Sequence, residues 1–364
     1  MEQGHAFQDP TICRGLLARI EAELDAPCAF MEVCGTHTVA IFQSGLRSML
    51  PAGLRHVSGP GCPVCVTPAG EIEAGLQLAD MDQVMVATFG DMLRVPGAGG
   101  RTLKEAQAEG ASVTICYSPL EALKLAQRYP EREVVFLGVG FETTAPTVAA
   151  AVKQAEALGL DNFSVFSCHK LIPPALAHLL RSGEVRVEAF ILPGHVSTVI
   201  GTAPYAFLAE ELGVPAVVAG FEPADILQAL LAIIRMRKAK RPRVHNAYGR
   251  AVHEGGNPKA RAVMNQVFEV VGSTWRGLGF IPDSGLVLSE EYAAFDAGRR
   301  FGLEAATVAD PPGCKCGEVL KGLAAPRECR LFGTICTPAS PVGPCMVSSE
   351  GSCAAHYKYG LDES

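Results

Sequence analysis

No G-x-x-x-x-G-K-[ST] phosphate loop occurs in the chain, which excludes the usual glycine-rich cradle for nucleotide phosphates. Gly97-Ala-Gly-Gly100 is no dinucleotide fingerprint either, because neither a flanking strand nor a downstream acid is placed for it. Long apolar runs are also missing. The longest, Ile226–Ile234, is far too short to span a bilayer, so no membrane association is expected. Basic charge is in deficit: the net charge is −7, which argues against nucleic acid as a partner. The single basic run, Arg235–Arg243, follows an apolar helical segment and reads as a solvated helix end and linker. The first residues, MEQGHAFQDP, show no charged segment followed by an apolar one, so no secretory leader is expected. The expected location is cytoplasmic, where thiols stay reduced and clustered cysteines serve metals or redox chemistry.

Against these absences stand 13 cysteines in 364 residues. Six crowd the tail: Cys314, Cys316, Cys329, Cys336, Cys345 and Cys353. Three more lie in two short motifs near the front, Cys34 in CGTH and Cys62/Cys65 in GPGCPVC. Thiolates are the usual ligands of iron–sulfur clusters and the usual redox-active groups, so the chain reads as an iron and thiol protein.

Short apolar runs bounded by Gly or Pro predict strands at 28–33, 55–58, 84–89 and 112–117, then at 134–139, 163–167, 189–192 and 216–219. Helical patterns such as Pro119–Arg128, Thr147–Leu158 and Ala175–Leu180 separate many of them. Alternating strands and helices predict parallel βαβ units, hence an α/β fold with two similar α/β domains, 27–130 and 131–240, meeting near 118–132. A helical pattern persists around Lys259–Val271, and the Pro-, Gly- and Cys-rich chain from Pro311 onward has little periodicity. Residues 241–364, with 1–26, are therefore read as a third, Cys-rich iron–sulfur domain stapled by metal, against which the helix Pro10–Glu23 packs.

Ligands bind beyond the carboxyl ends of strands in such sheets. Six motifs fall there, following successive predicted strands: CGTH, GPGCPVC, Phe89-Gly-Asp91, Gly140-Phe-Glu-Thr-Thr-Ala-Pro146, Pro193-Gly-His-Val-Ser197 and Gly220-Phe-Glu-Pro223. If the sheets face each other at those ends, six loops line one cleft. Cys62-Pro-Val-Cys65 fits a redox dithiol better than a zinc half-site, since no second pair partners it; inert core cysteines are the plain alternative. Thr67-Pro68 reads as a helix N-cap followed by Pro in the first turn, whose dipole favours thiolate. Cys34 reads equally as a buried core thiol or as a soft thiolate that holds iron or attacks an electrophile. His37 and His195 fit ligands, proton donors or structural histidines, and Glu142 and Asp91 are similarly open. In the tail, Cys329-x6-Cys336-x8-Cys345-x7-Cys353 supplies four thiolates for a [4Fe-4S] cluster, favoured over a zinc knuckle. Cys314 and Cys316 are then surplus, a second redox pair or ligands exchanging with Cys329.

Together, CGTH, GPGCPVC, GFETTAP, PGHVS and the tail PPGCKCGEVLKG, ECRLFGTICTP and PVGPCMVSSEGSCAAHY resemble the HypD family of [NiFe]-hydrogenase maturation factors, from about Phe30 to Tyr357. The resemblance implies two Rossmann-like domains plus a [4Fe-4S] domain. It implies a scaffold that, with the small chaperone HypC, holds an iron atom while cyanide and carbon monoxide are added, HypE delivering cyanide from a thiocyanate on its C-terminal cysteine. On this sequence it implies that Cys34 is the iron thiolate, shared with a cysteine of HypC, and that Cys62 and Cys65 are the redox dithiol. It likewise assigns Cys329, Cys336, Cys345 and Cys353 to the cluster. His195, Glu142, Thr143 and His37 are then candidates for proton or ligand management, and the chain alone is expected to be monomeric. A stand-alone iron–sulfur oxidoreductase acting on a small substrate in the cleft is the alternative.

Overall fold

Runs such as Val134–Val139 have no polar face, and a strand without one is stable only where helices cover both sides of its sheet. The computed structural model, which describes residues 7–303 and 308–360, satisfies that demand with two sheets. The first contains β1 (Cys28–Glu32), β2 (Leu54–Ser58), β7 (Ala189–Pro193), β8 (Ala216–Ala219) and β9 (Val244–Asn246), all parallel, in the order β2-β1-β7-β8-β9. The second has the order β10-β11-β6-β5-β3-β4. Its parallel part is β3 (Val84–Thr88), β4 (Ser112–Ile115), β5 (Glu133–Gly140) and β6 (Phe163–Lys170). The hairpin β10 (Phe268–Trp275) and β11 (Gly279–Leu288) is added antiparallel along β6.

The chain is thus α/β with parallel-dominated sheets. All eight predicted strands form, within three residues of the expected ends. Numbered within its own sheet, the first reads 2-1-3-4-5 and the parallel part of the second reads 2-1-3-4, the doubly wound order. The architectural repeat is real in this sense, but the division expected near 118–132 does not match the sheets. The second sheet is inserted between β2 and β7, because the chain leaves the first sheet after Ser58 and returns at Ala189.

Residues beyond 240 do not stand apart as a separate layer either. Strand β9 completes the first sheet and the hairpin extends the second. The helical pattern expected to reach Val271 stops at Val267, where Phe268, Val270 and Val271 favour strand. The helix Pro10–Glu23 packs on the helix Pro223–Lys238 rather than on the tail. Leu16 and Ile20 join Ile226, Leu230 and Ile233 in one apolar cluster, and Arg235 binds Glu23 at 2.6 Å. The basic run is the end of that second helix, as expected, with Lys240 in the left-handed region at φ 51°. Thr67 does not cap the next helix. It ends the short helix Pro63–Val66, where its Oγ1 donates to Pro63 O at 2.9 Å. No helix among the described residues is long and apolar enough to cross a membrane. Of the residues read for a leader and for the outer limits of the third domain, 1–6 and 361–364 lie outside the described residues.

One buried ion pair ties the second sheet together. At the end of β6, Lys170 is 1 % exposed, and its Nζ donates to Glu71 Oε1 in the helix Ala69–Ala79 at 2.5 Å and to Ser273 Oγ in β10 at 2.7 Å. Removing one member of a buried pair leaves the other charged and unpaired. Lys170→Met is expected to cost about 3–5 kcal/mol in urea denaturation; a loss under about 1 kcal/mol would show the pair to be dispensable.

Candidate functional site

In the first sheet, β1 continues to β2 on one side and β7 to β8 on the other, so their carboxyl ends diverge and open a crevice. A cavity of about 400 Å³ lies there. Its walls include Cys34 and Thr36 after β1, Gly61 and Pro63 after β2, Thr143 after β5, His195 after β7, and Glu350 from the tail. Four of the six motif loops therefore line one cavity. The loop Gly220–Pro223 supports it from behind: Phe221 stacks on His195 at 4.0 Å between ring centroids and lies 4.7 Å from His37. The turn Gly90–Arg94 faces elsewhere, Arg94 donating to Val347 O of the tail at 2.8 Å.

Cys34 precedes the helix Gly35–Gln43 and is buried. Its backbone N–H donates to Glu32 Oε2 at 3.0 Å, and Thr38 Oγ1 donates to Glu32 Oε1 at 2.5 Å. His56 Nε2 lies 3.6 Å from the same carboxylate. Gly35 N donates to Gly61 O at 2.9 Å, and a side chain on Gly61 would collide with the Cys34 backbone. This contact presses GPGCPVC against CGTH. Burial, reinforced by Glu350 and Glu32, pushes the Cys34 thiol up to about 12. The sulfur is therefore protonated at neutral pH, and a soft metal that takes it must displace the proton.

The other candidates divide. His195 borders the cavity, and desolvation of its ring lowers its pKa, so the neutral imidazole is available as a base. Thr36 Oγ1 donates to Glu350 Oε1 at 2.7 Å, which fixes that carboxylate above the thiol loop. His37 is buried beneath the floor, its Nε2 donating to Gly220 O at 2.9 Å; burial lowers its pKa and Nδ1 has no partner. Glu142 points away from the cavity, accepting from Ile172 N at 3.0 Å with Oε2 unpartnered. Burial pushes its carboxyl up to about 7. Asp91 pairs on the surface with Arg94 at 3.8 Å.

The dithiol lies between cavity and tail. Cys62 and Cys65 are joined as a disulfide, with Cα atoms 5.3 Å apart, and both are buried. Cys65 Sγ approaches Pro344 O at 4.0 Å, next to Cys345. All six tail cysteines border one small apolar cavity with Leu331, Phe332 and Met346, so Cys314 and Cys316 are not surplus to the set. Cys316 Sγ and Cys345 Sγ are 2.8 Å apart; this hydrogen bond pulls the Cys316 thiol below its ordinary value and pushes Cys345 well above it. Burial pushes Cys314 up to about 12. The convergent tail thiols fit the expected [4Fe-4S] cluster by type, and the six exceed the four that such a cluster takes. Among the described residues, no three or more His, Cys, Asp or Glu side chains are arranged as a preformed metal site.

The sequence that builds this site resembles known proteins over nearly its whole length. Residues 11–360 match the family model described as "HypD: Hydrogenase formation hypA family". The chain is 50% identical over 362 residues to hydrogenase expression/formation protein HupD of Azotobacter chroococcum, covering 97% of this chain and 96% of that one. It is 47% identical over 341 residues to hydrogenase maturation factor HypD of Escherichia coli, covering 93% and 91%. The chain belongs to the HypD family. Within this HypD-family chain, sequence reasoning passed over Glu32, Glu350 and Phe221. Glu32 carried a usable signal, since it is the one charged residue in the strand Cys28–Glu32, whose five positions are all buried. Glu350 had none, because only the folding of the tail brings it over Thr36.

In the metal-free HypD-family chain, alkylation of Cys34 by iodoacetamide at pH 8 is expected to be at least tenfold slower than that of an exposed thiol, followed by mass spectrometry. Glu350→Gln should accelerate it; reaction at the exposed-thiol rate in the unmodified chain would contradict the geometry. Glu142 gives a stability prediction. Its folded pKa is raised from 4.5 to about 7, so the wild type carries no penalty in acid and loses stability as pH rises through that window. Relative to wild type, Glu142→Gln should gain about 2–3 kcal/mol between pH 4.5 and 8; a pH-independent difference in denaturation would remove the assignment.

Proposed function

We propose that this hydrogenase maturation protein is the scaffold on which, together with HypC, an iron atom acquires the cyanide and carbon monoxide ligands of the Fe(CN)2CO unit. The observation that carries the reading is the single buried thiol, Cys34, at the floor of a cavity of about 400 Å³ whose wall is shared with the dithiol loop. Iron is the cargo, and low-valent iron bearing cyanide and carbon monoxide suits a soft thiolate from Cys34, with a second from HypC. The neutral His195 ring, or Glu350, receives the proton that Cys34 gives up when iron arrives.

Release of cyanide from the thiocyanate carried by HypE is a two-electron reduction. Cys62 and Cys65 in the dithiol form supply both electrons: their sulfurs join as a disulfide, the carrier sulfur leaves as thiolate, cyanide is freed, and two protons are released. The disulfide between Cys62 and Cys65 is the spent state of that pair. The tail thiolates would hold a cluster, which would supply one-electron chemistry for returning the pair to dithiol. Cys65 is the member turned toward the tail, which suits it to receive electrons. Phe141 contributes an apolar ring to the cavity lining beside Cys34.

Mössbauer spectroscopy of anaerobically purified, iron-57-labelled chain co-expressed with HypC tests the proposal. A cluster signal plus a separate low-spin iron that disappears only in Cys34→Ala is the expected result. If the cluster is the only iron in both samples, Cys34 is not the carrier ligand and the scaffold reading fails.

A further inference from the structure

Arg276 is a buried charge that none of the chemistry above uses. It sits at the tip of the β10–β11 hairpin, 3 % exposed. Its backbone N–H donates to Val66 O at 2.8 Å and its Nε to Thr67 O at 3.0 Å, so it holds the end of the helix that bears Cys62 and Cys65. Its Nη1 pairs with Asp310, while Nη2 is buried with no hydrogen-bond partner. The adjoining Gly277, at φ 79°, lies so close to Gly317 that a side chain on either would collide with the other backbone. That apposition sets the residue beside Arg276 against the first turn of the helix Cys316–Leu320. On the other side, Trp275 stacks on Phe141 of the cavity wall, with ring centroids 5.9 Å apart. One hairpin tip therefore touches the cavity wall, the dithiol helix and, at Gly317, the tail.

A guanidinium cannot lose its proton in a protein, and a full charge in a buried setting is costly unless it is matched. One carboxylate that is itself 36 % exposed matches it only in part. The uncompensated remainder sits one residue from the Gly277–Gly317 contact beside Cys316, and the negative charge of a cluster held by the tail thiolates would grow by one when an electron is added. A fixed positive charge there stabilises the reduced state and raises the reduction potential, because the pair interacts at low local dielectric.

We infer that Arg276 is a positioning residue that clamps the dithiol helix against the cysteine-rich tail and sets the reduction potential of the tail's iron–sulfur centre, with Asp310 as its counterweight. The inference rests on the reading of the tail as a cluster site. Its test is a spectroelectrochemical titration of the anaerobically purified holoprotein at fixed pH, comparing wild type with Arg276→Gln, Arg276→Lys and Asp310→Asn at equal iron content. Arg276→Gln is expected to move the midpoint potential negative, Arg276→Lys to restore part of the shift, and Asp310→Asn to move it positive. A clamp without an electrostatic role would lower thermal stability in Arg276→Gln and leave all potentials unchanged, which overturns the inference. Shifts of Arg276→Gln and Asp310→Asn in the same direction overturn it as well. Should Arg276→Gln fail to fold, Asp310→Asn alone decides, since a potential that does not rise there refutes the counterweight. A wild-type holoprotein with no iron–sulfur centre would defeat the cluster reading and this inference together, whereas an intact centre with unmoved potentials defeats this inference only.

Discussion

The constraint on which the rest of the molecule depends is topological. The second sheet is inserted between β2 and β7 of the first, so the chain must cross from one sheet to the other immediately after Ser58. The crossing segment is Gly59-Pro-Gly-Cys-Pro-Val-Cys65. Its glycines let backbone lie against backbone: Gly59 N donates to Glu32 O at 2.8 Å and Gly35 N donates to Gly61 O at 2.9 Å. A dithiol on a free surface loop would meet any oxidant. A dithiol on the crossing is buried beside the cavity on one side and the tail on the other, which limits what it can exchange electrons with.

Nesting of this kind also accounts for the distribution of buried charge. Lys170 and Arg276 each lie where elements distant in sequence are brought together and are bonded to more than one of them, while the side chain of Glu32 is bonded to the turn and helix that follow it. Glu32 holds the Cys34 turn, Lys170 joins β6 to β10 and to the helix Ala69–Ala79, and Arg276 joins the hairpin tip to the dithiol helix. Directional bonds at such junctions specify one mutual arrangement where apolar packing alone would tolerate several. Glu142 differs, since half of its carboxylate is unpartnered and burial raises its pKa.

Much of the fold and part of the site were legible in the residues. All eight predicted strands were read from β-branched runs, because burial on both faces imposes an apolar composition that stands out locally. The hairpin was missed for the opposite reason. Its exposed Val270 and Phe280 alternate with Glu269 and Asp283 across a Gly-rich turn, and that mixture resembled the helical pattern before it. The sequential domain division failed because strand pairing is nonlocal: nothing in residues 84–115 says whether they join the sheet begun before them or one completed after them.

Composition and motif spacing by themselves determined an α/β chain rich in thiols, with loops of Gly, Pro, Cys and His at strand ends, since these follow from local propensity and from the few residue types that soft-metal chemistry uses. Tertiary structure alone decided that Cys34 shares a cavity with His195 and Glu350, that Glu142 and His37 are turned away from it, and that Cys314 and Cys316 converge with the other four tail thiols. It also decided that one hairpin tip lies against both the dithiol helix and the cysteine-rich tail. These are relations between residues up to 314 positions apart, as for Thr36 and Glu350. They arise only when the crossing segment and the tail close on each other, because side-chain direction at a junction is set by the packing of both partners and is not encoded in either segment alone.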